Sequence, residues 1–311
     1  MDLLRVVGAC ALAYIAFRVV QALQAIYAFF LRPGKNLRAY GEWAVVTGAT
    51  DGIGKAYAFE LAKKGLSVLL ISRTEEKLVE MEKELKEKCP KVEVSHLAID
   101  YGNFDAAARS KVKAKVEAMQ VGVLINNVGM SYPFTKYFHE LSDDEVKAIV
   151  ELNINSTVWM TRLVLGNEKT PGMIQRKRGA IVNTSSAAGR GTSPLLCEYS
   201  GVKSFIEMFS KGLKAEVCDF GIDVQVQAPL FVATKMAKIR KTSLTVPSPA
   251  GYARSALAHI GYEDTVSPYW SHALQLFAMR QLPEFLNISI VKKMHLDIRK
   301  KGMKKEAEKN K

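Results

Sequence analysis

The chain has 311 residues, 48% of them hydrophobic, so it can bury one substantial core, and it contains no internal repeat. Its four cysteines, Cys10, Cys89, Cys197 and Cys218, have no paired spacing, which argues against a zinc site or disulfide framework and for free thiols on the reducing side of a membrane. The net charge of +13 is uneven: residues 291–311 hold nine Lys or Arg against three acids, and without interleaved aromatics such a tail suits an anionic membrane surface or plain solvent better than nucleic acid.

The first element is a long apolar stretch, Leu3 to Leu31, interrupted by Arg5, Arg18, Gln21 and Gln24. It exceeds the ~20 residues needed to cross a bilayer. A central arginine costs roughly 2.5–3.5 kcal/mol on insertion scales, which the flanking leucines, valines and aromatics offset. The stretch is long for a signal peptide and lacks a convincing small-residue cleavage site before Pro33. A retained membrane anchor over residues 1–32 is therefore expected, with an interfacial amphipathic helix as the second reading. Arg32, Lys35 and Arg38 follow it, whereas Asp2 partly balances Arg5. The positive-inside rule then leaves the rest of the chain in the cytosol.

Next, Trp43–Thr47 reads as a buried strand running into Gly48-Ala-Thr-Asp-Gly52-Ile-Gly54 and then into a helical pattern. Glycines let the backbone approach a pyrophosphate, and the free N–H groups of the helix start meet its charge. Gly48, Thr50, Gly52, Ile53 and Gly54 are the expected contacts. The second strand, Ser67–Ser72, ends at Arg73, where an acid would hold the ribose 2′-hydroxyl of NAD. A guanidinium suits a 2′-phosphate, and Lys55 is a candidate second cation, so the expected cofactor is NADP(H). Glu75 and Glu76 fall in the first turn of the next helix, where they suit its dipole. Further strands at 92–98, 123–126, 180–184 and 223–227, with helices between most of them, predict a single α/β domain built on a doubly wound parallel sheet. The five histidines are scattered, so no metal is expected.

Between the last two of these strands lies Ser186, thirteen positions before Tyr199, which is four before Lys203. On a helix, positions i and i+4 share a face, and a cation near a phenol holds its pKa below the usual value of about 10. Tyr199 is thereby expected to be a proton donor near neutral pH. Together, Thr-Gly-x-x-x-Gly-x-Gly and Tyr-x-x-x-Lys resemble the double signature of the short-chain dehydrogenase/reductase family, over roughly residues 41–260.

That resemblance implies a Rossmann-type sheet of about seven strands in a catalytic domain over 41–262, with Ser186, Tyr199, Lys203 and Asn153 as catalytic residues. Ser186 would hold the substrate oxygen, Tyr199 protonate it, and Lys203 also bind the nicotinamide ribose. Asn153 would steady a water chain to the lysine. Asn155 competes with Asn153, and Ser185 with Ser186; spacing favours Asn153 and Ser186. By the same resemblance Asp100 would contact the adenine, Asn126 would line the ribose side and brace the sheet, and Val232 and Thr234 would meet the nicotinamide. One departure is Leu230, where the family usually has glycine after the proline. A homodimer is a further family expectation.

The runs from Asn126 to Tyr132 and from Phe231 to Arg240 resemble a narrower group, the membrane-bound very-long-chain 3-oxoacyl-CoA reductases, particularly plant-type members. This implies NADPH-dependent reduction of a very-long-chain 3-oxoacyl-CoA to the 3-hydroxyacyl-CoA in the endoplasmic reticulum membrane. The partners in fatty-acid elongation would be a condensing enzyme, a dehydratase and an enoyl reductase. A 17β-hydroxysteroid dehydrogenase is the second reading. A catalytically silent membrane scaffold is the third, against which Tyr199 and Lys203 both stand. Residues 165–171 read as a short insertion, hence a surface loop. Residues 263–311 form a last segment: 266–290 read either as an amphipathic flap on the membrane, covering an apolar substrate, or as a core helix, followed by the basic tail. Asn287-Ile-Ser289 is a glycosylation sequon, and sugar there would place the domain in the lumen.

Overall fold

Runs of Val, Ile and Leu bounded by glycine and polar residues become buried strands, and the intervening amphipathic runs become the helices that cover them. A computed structural model describes residues 3–167 and 169–309, which divide into two compact units, Met1–Gly34 and Lys35–Lys311. In the first unit, helix α1 (Leu3–Ile26) continues through a π turn, Tyr27–Leu31. This helix, Leu3–Leu31, is long and apolar enough to cross a membrane, and none of its apolar window is buried. The Arg18 guanidinium lies over the Tyr14 ring, 5.9 Å from its centre.

In the second unit, strands β1 (Trp43–Thr47), β2 (Ser67–Ser72), β3 (Val94–Ala98), β4 (Val121–Asn126), β5 (Gly179–Thr184), β6 (Ile222–Gln227) and β7 (Thr265–Val266) form one parallel sheet in the order β3-β2-β1-β4-β5-β6-β7. Alternation along β1 splits the core in two. Ala44 and Val46 pack with α2 (Gly52–Lys63), α3 (Glu75–Lys88) and α9 (Pro249–Ala258). Val45 packs on the other face with α4 (Ala106–Glu117), α6 (Ser156–Leu165) and α8 (Cys197–Val217). Helix α5 (Asp143–Val150) runs into α6 through a π segment, Glu151–Asn155, and the short α7 (Met173–Arg176) precedes β5.

Most strands start one or two residues away from their expected positions, and the seventh lacks the run of residues by which sequence identifies a strand. Because β7 pairs with β6, the sheet extends past residue 262. Residues 266–290 carry a buried face and exposed apolar side chains. Helix α10 (Trp270–Arg280) buries Ser271, His272 and Leu276, while Leu274 and Phe277 face outward, as do Phe285, Leu286 and Ile290 of α11 (Glu284–Lys309). In the 165–171 segment Asn167 and Lys169 are exposed, and Asn167 Oδ1 accepts from the N–H groups of Lys169 and Thr170.

Candidate active site

Strand order reverses between β1 and β4, which opens a crevice beyond their carboxyl ends. Thr47 Oγ1 accepts from the N–H groups of Asn127 and Val128 at 2.9 and 3.0 Å, fixing the two strand ends together. The glycine turn enters there. Gly52 has φ 54°, and a side chain on Gly54 would begin 2.1 Å from the Gly48 carbonyl oxygen, so neither position suits a larger residue. Asp51 caps α2 through the Gly52 N–H. Thr50 Oγ1 sits 3.0 Å from Ser72 Oγ, joining the turn to the end of β2.

Other expected cofactor contacts divide by burial. Arg73 is exposed just past β2 and makes no ion pair with the described residues. Lys55 does not share its position: it pairs with Glu84 at 2.5 Å and lies over Phe59. Asp100 is exposed, with Oδ1 accepting from the Gly102 N–H. Ile53 packs on the core, and Val232 is buried in it. Asn126 corrects part of its expectation, because its amide is 2% exposed and donates to Thr161 Oγ1 and Asn183 Oδ1. It braces β4 to β5 and α6 and presents no side chain to the crevice. Thr234 Oγ1 accepts from the Ala237 N–H, and its methyl lies 3.3 Å from where a Gly52 side chain would begin, closing the far wall.

Ser186 follows β5, while Tyr199 and Lys203 lie on the first turns of α8. The Ser186 hydroxyl faces the Tyr199 phenol and also accepts from the Ala188 N–H. Ser185 is buried and donates to the Lys203 carbonyl, so it serves packing. Asn153 sits in the π segment, 1% exposed, donating to the carbonyls of Met130 and Ile149. Its Oδ1 is buried without a partner. A side chain on Gly129 would begin 2.6 Å from that oxygen and 3.4 Å from Lys203 Nζ, so both line one small space. Asn155 instead bonds Glu151.

The expected electrostatics are corrected. Tyr199 keeps some surface open to the crevice but lies deep, and burial pushes its phenol above the usual value, with the Ser186 hydroxyl pulling it back. Burial also lowers Lys203 to about 8. Its Nζ donates to the Thr184 carbonyl at 3.0 Å and stands 5.7 Å from the centre of the Tyr199 ring. Desolvation outweighs the cation's pull on the phenol.

Three supporting groups were absent from the sequence reading. Arg190, which ends the turn after Ser186, forms a buried ion pair with Glu207 at 2.7 Å, latching that turn to α8. Glu207 lies four residues after Lys203, a spacing that could have revealed it. The Tyr132 hydroxyl accepts from the Glu198 N–H beside Tyr199. His272 of α10 accepts the Leu230 N–H at Nδ1, which requires the proton on Nε2, facing the carbonyls of Phe231 and Thr245. Leu230 is not among the described residues with positive φ, so its replacement of glycine brings no backbone strain.

The profile of the short chain dehydrogenases matches residues 42–244. A very-long-chain 3-oxoacyl-CoA reductase of Homo sapiens is 41% identical over 308 residues, covering 96% of this chain and 95% of the relative. A very-long-chain 3-oxoacyl-CoA reductase-like protein of Arabidopsis thaliana is 40% identical, covering 83% of this chain and 82% of its own. Among solved structures, a short-chain dehydrogenase from Sphingobium yanoikuyae in complex with NADPH superposes with a TM-score of 0.62 at 26% identity, covering 70% of this chain and 83% of that one.

Proposed function

The chain belongs to the short-chain dehydrogenase family, and from that membership we propose that it reduces very-long-chain 3-oxoacyl-CoA to 3-hydroxyacyl-CoA with NADPH, the first reduction of a fatty-acid elongation cycle. One observation carries the reading: the match to a reductase of that name spans 96% of the chain, leaving too few residues outside it to omit either terminal helix. The crevice fits a phosphorylated dinucleotide. Its turn carries no side chain at Gly52 and Gly54, where the chain enters α2, and Arg73 is exposed past β2 with no ion pair to the described residues, where a 2′-phosphate needs a cation.

Bound NADPH supplies the hydride. The Ser186 hydroxyl holds the substrate's 3-oxo oxygen, and Tyr199 gives its proton to that oxygen as negative charge grows there. A phenol raised by burial stays protonated at neutral pH, which suits a reductase. Lys203 stabilises the phenolate left behind, and the unpartnered Asn153 Oδ1 orients a proton path to the ammonium.

In this reading α1 anchors the enzyme in the endoplasmic reticulum membrane, with the catalytic unit in the cytosol. Sugar on Asn287, whose Nδ2 donates to the carbonyls of Met279 and Leu282, would overturn that side. The condensing enzyme, dehydratase and enoyl reductase of the cycle are its expected neighbours, and a second copy is a possible mate. NADPH oxidation by the full-length protein in neutral detergent, with a C20-range 3-oxoacyl-CoA against a 17-oxosteroid, tests the activity. Preference for the steroid overturns the substrate assignment, and inactivity on both favours the silent scaffold.

A further inference from the structure

Between Asp223 and Glu263 the chain carries five Lys or Arg and no acid, and four of these cations fall at Lys235, Lys238, Arg240 and Lys241. This loop crosses the mouth of the crevice. Lys235 Nζ pairs with Asp51 beside the glycine turn at 3.1 Å, and Lys238 Nζ donates to the Pro133 carbonyl at 2.7 Å. Pro133 follows Tyr132, whose hydroxyl holds the backbone next to Tyr199. Lys238 also takes a left-handed φ of 54°, and Thr234 Oγ1 caps the turn, so the loop is pinned at both ends. Arg240 and Lys241 follow, both exposed and both without an ion pair among the described residues.

We infer that this loop is the docking site for the phosphates of the substrate's CoA group, with Arg240 and Lys241 as the binding cations. The inference rests on the activity proposed above. In a CoA thioester the pantetheine arm separates the reacting carbonyl from the phosphates, so cations that read them must stand at the rim of the crevice, away from Tyr199. A guanidinium and an ammonium on an acid-free loop meet that need. The cofactor's 2′-phosphate is served elsewhere, by Arg73 at the end of β2.

The test compares two substrates of the full-length protein in neutral detergent: a 3-oxoacyl-CoA and the same acyl group on N-acetylcysteamine, which has no phosphate. In wild type the CoA ester has the lower KM, and that advantage shrinks as salt rises. In Arg240→Glu/Lys241→Glu the ratio of the two KM values falls roughly fivefold or more, while the KM for NADPH holds. Arg240→Lys restores most of the ratio when Lys241 is kept. An unchanged ratio, or equal losses on both esters, overturns the inference and leaves the activity standing. If wild type reduces neither ester, the activity itself fails, and this shows before any variant is made.

Discussion

Lys203 points its ammonium at the Thr184 carbonyl, 3.0 Å away, and holds it 5.7 Å from the centre of the Tyr199 ring. The phenol is consequently governed by burial, and Ser186 is the neighbour that eases its ionisation. Tyr199→Phe is expected to lower kcat by about 100- to 10,000-fold and Ser186→Ala by about 100- to 1,000-fold. NADPH binding, read by fluorescence quenching, should persist in both, and full turnover in Tyr199→Phe would remove the proposed acid.

Burial lowers Lys203 to about 8, from which an alkaline limit on the reaction is expected. The kcat/KM for NADPH, which reports the cofactor-free enzyme, should hold through neutral pH and decline above about 8, as the cation facing the phenol is lost. A profile still level at about pH 9.5 would separate Lys203 from the proton path.

The same residue leaves a mark on stability. Its folded value, about 8, lies below the ordinary 10.5, so between these values the unfolded chain binds more protons and stability rises with pH. Burial of the charge is costly below that window, and the cost is relieved through it. Cofactor-free wild type should therefore gain roughly 2 kcal/mol relative to Lys203→Met between about pH 7 and 10. Urea midpoints at the two pH values measure this, and a constant gap would contradict it.

Arg73 is the proposed determinant of cofactor preference. Arg73→Glu should raise the KM for NADPH roughly tenfold or more and leave that for NADH nearly unmoved or lower. Steady-state kinetics with both cofactors check it; parallel losses would point to a folding defect near β2.

The two asparagines of the π segment should behave differently. Asn153→Ala is expected to reduce kcat about ten- to a hundredfold, because its buried Oδ1 shares a space with Lys203. Asn155→Ala touches only a partly buried bond to Glu151 and should shift stability by about 0.5 kcal/mol or less. Equal effects in kinetic assays would reverse the assignment.

The sheet was legible because buried parallel strands are continuous apolar runs, and Trp43–Thr47 and Ser67–Ser72 match their expected bounds. β4 starts two residues early because Gly122 reads as a break, whereas it lets the backbone of Gly41 come close. β7 has only two residues, Thr265 and Val266, too few to show a pattern. Spacing put Tyr199 and Lys203 on one face but carried no measure of depth, and depth decides the sign of the tyrosine's shift. The role of His272 was equally invisible, since its partners are backbone groups more than twenty residues away in sequence.

Between α5 and α6 the helix widens into a π turn from Glu151 to Asn155. A π turn holds one residue more than the α-helical ladder needs. Removing a single residue there would let α5 and α6 merge into one regular helix, while swinging Asn153 about a quarter turn off its bearing. The shortened protein would be the better helix and the poorer catalyst, which makes this irregularity a place where selection for activity opposes selection for stability.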